Sequence, residues 1–180
     1  MPRTAIFIDG GYIYEVLRHE FGGVRIDYQL LSEAIAGDNE LLRTYFYHCL
    51  PFQASPPTPQ QRQLYSDMDS FLSTLRKLPR YEVRLGKLAR RTVPGGGYRY
   101  EQKRVDTLMV TDMVLLSAKH RIDRAVLVTG DSDMLPAVEV AVHEGVLVHL
   151  YHGRAFPNEL WDACDERTAI DQALIDRVRR

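Results

Sequence analysis

Two short apolar runs that each stop at an aspartate constrain the fold of this chain most. Residues 125–128, AVLV, form a β-branched and aliphatic segment of the kind that is buried on both faces of a parallel sheet. Thr129 and Gly130 end it, Asp131, Ser132 and Asp133 follow, and Leu135, Val138 and Val142 then recur at helical spacing. Pro136 limits where that helix begins, because proline is tolerated only where its missing N–H has no intrahelical partner. The first helical residue therefore lies little before Ser132 or Asp133. Both carboxylates then sit in the turn at a strand's carboxyl end, which is where ligands bind in open α/β sheets. Capping the helix needs one carboxylate. A second acid two residues away adds repulsion unless a cation lies between them, which favours metal or cation binding over capping alone.

Residues 4–8, TAIFI, repeat the pattern. This run ends on Asp9, Gly10 and Gly11 follow, and residues 12–21 carry Ile13, Val16 and Leu17 at helical spacing. Glycines directly after a strand allow a tight turn and close backbone approach to a ligand. GxGxxG is absent, and the first turn residue is an acid that would repel a pyrophosphate, so a dinucleotide site is not indicated. The alternative for Asp9 is an ordinary turn residue.

Between these units the sequence predicts a helix over 27–36, capped by Asp27 and stopped by Gly37. An aromatic-rich strand follows over 41–50, then a four-proline loop over 51–59 and an amphipathic helix over 60–78. His48, within that strand, reads as structural. Residues 81–92 alternate partly and run into the triple glycine 95–97, so a basic hairpin or arm is expected at about 81–104. Arg80 to Arg104 contains eight basic residues against two acidic, a local charge of +6. The remaining residues carry 15 basic and 22 acidic groups, or −7, so the chain's net charge of −1 hides a basic patch on an acidic body. Arginines with Tyr98 and Tyr100 interleaved suit phosphate contact and base stacking; a solvated charged face is the alternative.

The next helix opens at residues 103–106, with Asp106 placed where the helix dipole favours a carboxylate. Asp112 falls inside its apolar run and must face solvent or meet a cation. At about 100° per residue the two acids lie roughly 120° apart around the axis. A buried strand over 146–151, a loop over 153–157, a short helical turn over 158–164, a last strand over 168–170 and a terminal helix complete the chain. His149 and His152 have no third ligand nearby in sequence and are assigned no metal.

With 180 residues, 45% of them hydrophobic, a single domain over 1–180 with a real core is expected. Cys49 and Cys164 have no CxxC partner and read as buried thiols. Residues 5–8 are too few for a signal-peptide core, and no apolar stretch approaches the roughly 20 residues that span a bilayer. A soluble protein of a reducing compartment, cytoplasmic and without a membrane partner, is therefore expected.

Alternating strands and helices imply a parallel, doubly wound sheet covered on both faces. If the strands ending at Asp9 and Asp131 are neighbours, Asp9, Asp131 and Asp133 meet, and Asp106 joins them from a helix N-terminus. Such a carboxylate cluster calls for Mg²⁺ or Mn²⁺, whereas zinc would recruit histidine or cysteine. A site of that kind activates water for attack on a phosphodiester, and the basic arm supplies the grip on a polyanion.

The motifs FIDGGY (7–12), KRVDTLMVTDM (103–113) and VTGDSDMLPAVEVAVHEG (128–145) together resemble the NYN domain, in its LabA-like bacterial branch, within the PIN-like nuclease superfamily. The resemblance implies a Rossmann-like three-layer α/β/α sandwich with a mainly parallel central sheet, and a metal-dependent ribonuclease. Asp9, Asp106 and Asp131 match the family's acidic core, Asp133 the second acid of its GDSD-type motif, and Asp112 the acid further along the helix. Tyr12, Ser132, Lys103, Arg104 and the arm residues Arg90, Arg91 and Arg99 complete the expected site as substrate contacts. RNA is the expected partner, with DNA as the alternative and a homodimer compatible with the chain. The family usually has asparagine where this chain has Tyr12, so a catalytically inactive RNA- or protein-binding module is the rival reading. A haloacid-dehalogenase-like phosphatase is a further rival, disfavoured because its nucleophile motif needs an aspartate where Gly11 stands.

Overall fold

The computed structural model describes residues 1–156 and 158–180, with the side chains of residues 88–91, 98–103 and 158 outside that description. Strand β1 (Arg3–Asp9) leads directly into helix α1 (Gly10–Glu20), and α2 (Tyr28–Ala36) returns the chain to β2 (Glu40–His48). Helix α3 (Pro59–Leu75) connects to β3 (Tyr81–Leu85), after which β4 (Lys87–Thr92) and β5 (Tyr98–Lys103) form a hairpin. Helix α4 (Val105–Ala118) leads to β6 (Arg124–Val128), a 3-10 turn (Ser132–Met134) and α5 (Leu135–His143). Strand β7 (Leu147–His152), α6 (Asn158–Ala163), β8 (Glu166–Ala169) and α7 (Gln172–Val178) complete the order.

Six strands make one all-parallel sheet in the order β3-β2-β1-β6-β7-β8. Parallel neighbours need crossover connections, and the helices that make them cover both faces. Residues 5–8 and 125–128 are fully buried, as two-faced burial of a central strand requires. Their side chains alternate between two cores. Ala5, Phe7, Ala125 and Leu127 pack with Met109 and Met113 of α4 and Val138 of α5. Ile6, Ile8, Val126 and Val128 pack with Ile13 of α1, Leu31 of α2, Leu72 of α3 and Ile175 of α7. The expected three-layer α/β/α sandwich is the result.

The chain winds outward from β1 through β2 to β3, then returns to β1's other side and winds through β6 to β8. The order therefore reverses between β1 and β6. A crevice opens at the carboxyl ends of strands at such a switch point.

Local structure departs from the sequence reading in three places. Helix α1 begins at Gly10, so the glycines after Asp9 belong to its first turn and not to a loop. Gly10 is required by packing: a Cβ there would stand 2.6 Å from the Phe46 ring and 2.8 Å from the Tyr47 carbonyl. The basic stretch divides, because β3 joins the main sheet beside β2 and only β4 and β5 form the hairpin. Its register sets Arg90 opposite Tyr100 and Arg91 opposite Arg99. The 3-10 turn delays α5 to Leu135 and leaves Pro136 in its first turn, where no N–H is needed. Cys49 and Cys164 are both buried. Among the described residues, no helix is long and apolar enough to cross a membrane.

Candidate functional site

Pairing of Ile8 with Val128 sets the ends of β1 and β6 side by side, so Asp9 and the turn carrying Asp131 share the crevice. Oδ1 of Asp9 accepts the backbone N–H groups of Gly11 and Tyr12 at 2.9 and 3.0 Å. Oδ1 of Asp131 accepts the N–H of Asp133 at 2.9 Å. Each aspartate thus caps a helical turn, and each does so with one oxygen. No hydrogen bond from a described residue reaches the second oxygen of either. Asp106, second residue of α4, enters from the helix layer opposite α1. Together with Tyr12, Glu15 and Ser132, the three acids line a cleft of about 480 Å³.

Burial is the main force pushing the Asp9 carboxyl above its usual range; the two backbone bonds oppose it and the charge of Asp131 adds to it. Asp106 is also pushed up, by burial first and then by the charges of Asp131, Asp9 and Asp133. These acids feel one another. The donors lining the cleft are hard oxygens, which suit Mg²⁺ or Mn²⁺ and not zinc. Among the described residues no three histidine, cysteine or acidic side chains are arranged to hold an ion unaided. A cation held here would keep much of its water, as Mg²⁺ commonly does.

The other expected site residues fall in different places. Asp133 is exposed at the margin of the cleft and contributes its N–H to Asp131. Asp112 is not brought to the other acids. Its Oδ2 accepts the Tyr47 hydroxyl at 2.9 Å and its Oδ1 an Arg84 N–H at 3.1 Å, so the cation it meets is a guanidinium. The turn of α4 separates it from Asp106, and it does not line the cleft that holds the other three acids. Arg104 is exposed and starts α4 in the left-handed region, at φ 73°. The side chains of Arg90, Arg91, Arg99 and Lys103 lie outside the described residues.

Tyr12 builds one wall of the cleft. A Cβ on Gly130 would stand 2.4 Å from its ring, so glycine is what lets that ring lie against the turn after β6. The Tyr12 hydroxyl accepts the Gly153 N–H at 2.8 Å and donates to the Ala155 carbonyl at 3.4 Å. Glu15 was missed by the sequence reading, although it lies one helical turn beyond Gly11 on the same face. The histidines take structural partners. His48 meets the Phe46 ring edge-on, and burial lowers its pKa. His149 bonds the Thr168 hydroxyl, and His152 the Gly153 carbonyl, each at 2.8 Å.

A crystal structure of a protein of unknown function from Vibrio parahaemolyticus shares the fold, with a TM-score of 0.67 and 24% identity over 99% of this chain and 96% of that one. The uncharacterized protein y4oD of Sinorhizobium fredii is 44% identical over 50 residues, which are 28% of this chain and 23% of that protein. The NYN domain matches residues 3–171, a span that takes in both acid-bearing strand ends and the start of α4, and the chain belongs to this family.

Proposed function

We propose that the chain is a metal-dependent ribonuclease of the LabA-like NYN branch. The observation that carries this reading is the convergence of Asp9, Asp106 and Asp131, from three separate elements, on one cleft at the sheet's switch point. Asp9, Asp106 and Asp131 would hold Mg²⁺ or Mn²⁺, with Asp133 adding charge from the margin. Such an ion supplies an acidified water and neutralises charge on the phosphodiester. The capping bonds fix the Asp9 and Asp131 carboxylates before substrate arrives, so little reorganisation is needed. Burial and the charges of Asp131, Asp9 and Asp133 raise the proton affinity of Asp106, and a bound cation would offset this by neutralising the same charges. Ser132 at the rim offers a hydroxyl to a phosphate oxygen, while Lys103, Arg104 and the hairpin arginines hold the flanking backbone.

Cleavage of single-stranded and structured RNA, and of DNA, with Mn²⁺, Mg²⁺ or EDTA tests the reading, beside Asp131→Asn. Metal-dependent cleavage abolished in the variant is expected. The second reading, a binding module without chemistry, draws on Tyr12 in place of an amide. RNA binding with wild type and variant equally inert would establish it.

A further inference from the structure

Beyond the Tyr12 wall lies a second hollow of about 380 Å³, lined by His152, Gly153, Arg154 and Phe156 on one side and by Glu20 and Ile170 on the other. Its aromatic side is a stack. The Phe156 and Trp161 rings lie 4.5 Å apart and 21° from parallel, and His152 meets them at 4.4 and 4.8 Å. The His152 bond to the Gly153 carbonyl fixes the imidazole, and the Arg167 guanidinium sits over Trp161 at 5.6 Å. Phe156 and His152 are the rings of this stack that line the hollow.

The acids around the hollow are already engaged. Glu20 accepts the Arg154 N–H and Asp171 the Leu174 N–H, each at 2.8 Å. The Arg154 side chain is 85% exposed and pairs with Glu20 only at 4.0 Å, so most of its guanidinium faces solvent at the mouth. One residue separates the two hollows. Tyr12 lines the acidic cleft, and its hydroxyl holds the Gly153 backbone that lines the second.

We propose that this second hollow is a stacking pocket for an unpaired base of the strand whose phosphate lies in the acidic cleft. The inference rests on the nuclease reading and narrows it to single-stranded substrate. A strand crossing Tyr12 sets its neighbouring base against Phe156 and a phosphate near Arg154. A base held in a duplex has both faces covered and cannot enter. Aromatic stacking tolerates any base, so the pocket selects strandedness and not sequence.

Trp161 is the chain's one tryptophan, so its emission reports on the stack directly. The full chain, with Mn²⁺ present, is titrated with a hydrolysis-resistant phosphorothioate single strand, the same strand carrying one abasic position, and the matching duplex. Quenching of Trp161 by the single strand alone is expected, with loss of quenching when the abasic position reaches the pocket. Phe156→Leu should weaken single-strand binding about tenfold, and Phe156→Tyr should restore it. Binding with unchanged emission and equal affinity for Phe156→Leu would overturn the pocket and leave the nuclease reading standing. Equal quenching by the duplex would overturn the strandedness claim. Absence of binding by any of the three would overturn both readings.

Discussion

The Tyr12 hydroxyl accepts the Gly153 amide at 2.8 Å, tying the first turn of α1 to the end of β7 across the mouth of the sheet. Tyr12→Phe keeps the ring over Gly130 and leaves the buried Gly153 N–H without its acceptor. The expected loss is about 1–3 kcal/mol of stability, read from the midpoint of urea unfolding. Gly130→Ala should also destabilise, because its methyl meets a ring that cannot swing away. In a Tyr12→Asn background that clash is gone, so the double variant should be more stable than the two single effects predict together. Additive effects would refute the contact.

Asp9 is expected to cost the metal-free fold some stability. Its folded pKa is raised, so between its ordinary value of 3.8 and the folded value the native state holds a proton that the unfolded chain has released. Stability therefore falls as pH rises through that window, and the deficit persists at neutral pH. Asp9→Asn removes the titration and keeps a capping oxygen for α1. Melted in EDTA at pH 7, the variant should exceed wild type, and the advantage should vanish below pH 3.8. Mn²⁺ should stabilise wild type and not the variant. A variant less stable than wild type at pH 7 would contradict this assignment.

Asp112 is expected to serve the fold and not the ion. Asp112→Ala leaves the fully buried Tyr47 hydroxyl unpaired and removes the Arg84 partner. A cost of about 1–3 kcal/mol follows, with Mn²⁺ affinity of the folded protein unchanged by calorimetry. Loss of Mn²⁺ binding at unaltered stability would make Asp112 a ligand after all.

Features written in neighbouring residues were legible in the sequence. Helix α2 (Tyr28–Ala36) lies between Asp27 and Gly37 because cap and stop are local: Asp27 accepts the Gln29 and Leu30 amides, and Gly37 adopts φ 58°. Asp9 and Asp131 were legible because each ends a run too apolar to be anything but a central strand. The rest depends on partners distant in sequence. Strand β3 alternates like the hairpin that follows it, and only pairing with β2 separates the two. Tyr12 reads as a lost asparagine until Gly153, 141 residues away, is seen to bond it. Asp112 reads as a spare acid until Arg84 and Tyr47 arrive from neighbouring strands.

The hairpin should act through charge. Arg90→Ala combined with Arg91→Ala should weaken RNA binding and reduce the slope of log K against log salt by about 1.4, at about 0.7 per phosphate contact on a single strand. Anisotropy titrations between low and physiological salt measure that slope. An unchanged slope would remove these arginines from the interface.

Arg104 is expected to set stability against binding at a single residue. It adopts φ 73° at the start of α4, two residues before Asp106, where a side chain costs on the order of 1 kcal/mol and glycine costs nothing sterically. The residue is exposed and no side-chain bond caps the helix there, so nothing among the described residues calls for arginine. A phosphate at the mouth of the acidic cleft would. Arg104→Gly should therefore raise the unfolding midpoint, by up to about 1 kcal/mol after the added flexibility of the unfolded chain is counted, while weakening RNA affinity. Denaturation and binding measured on the same preparation separate the two effects. A variant that gains stability and keeps full affinity would show that the arginine is not retained for the substrate.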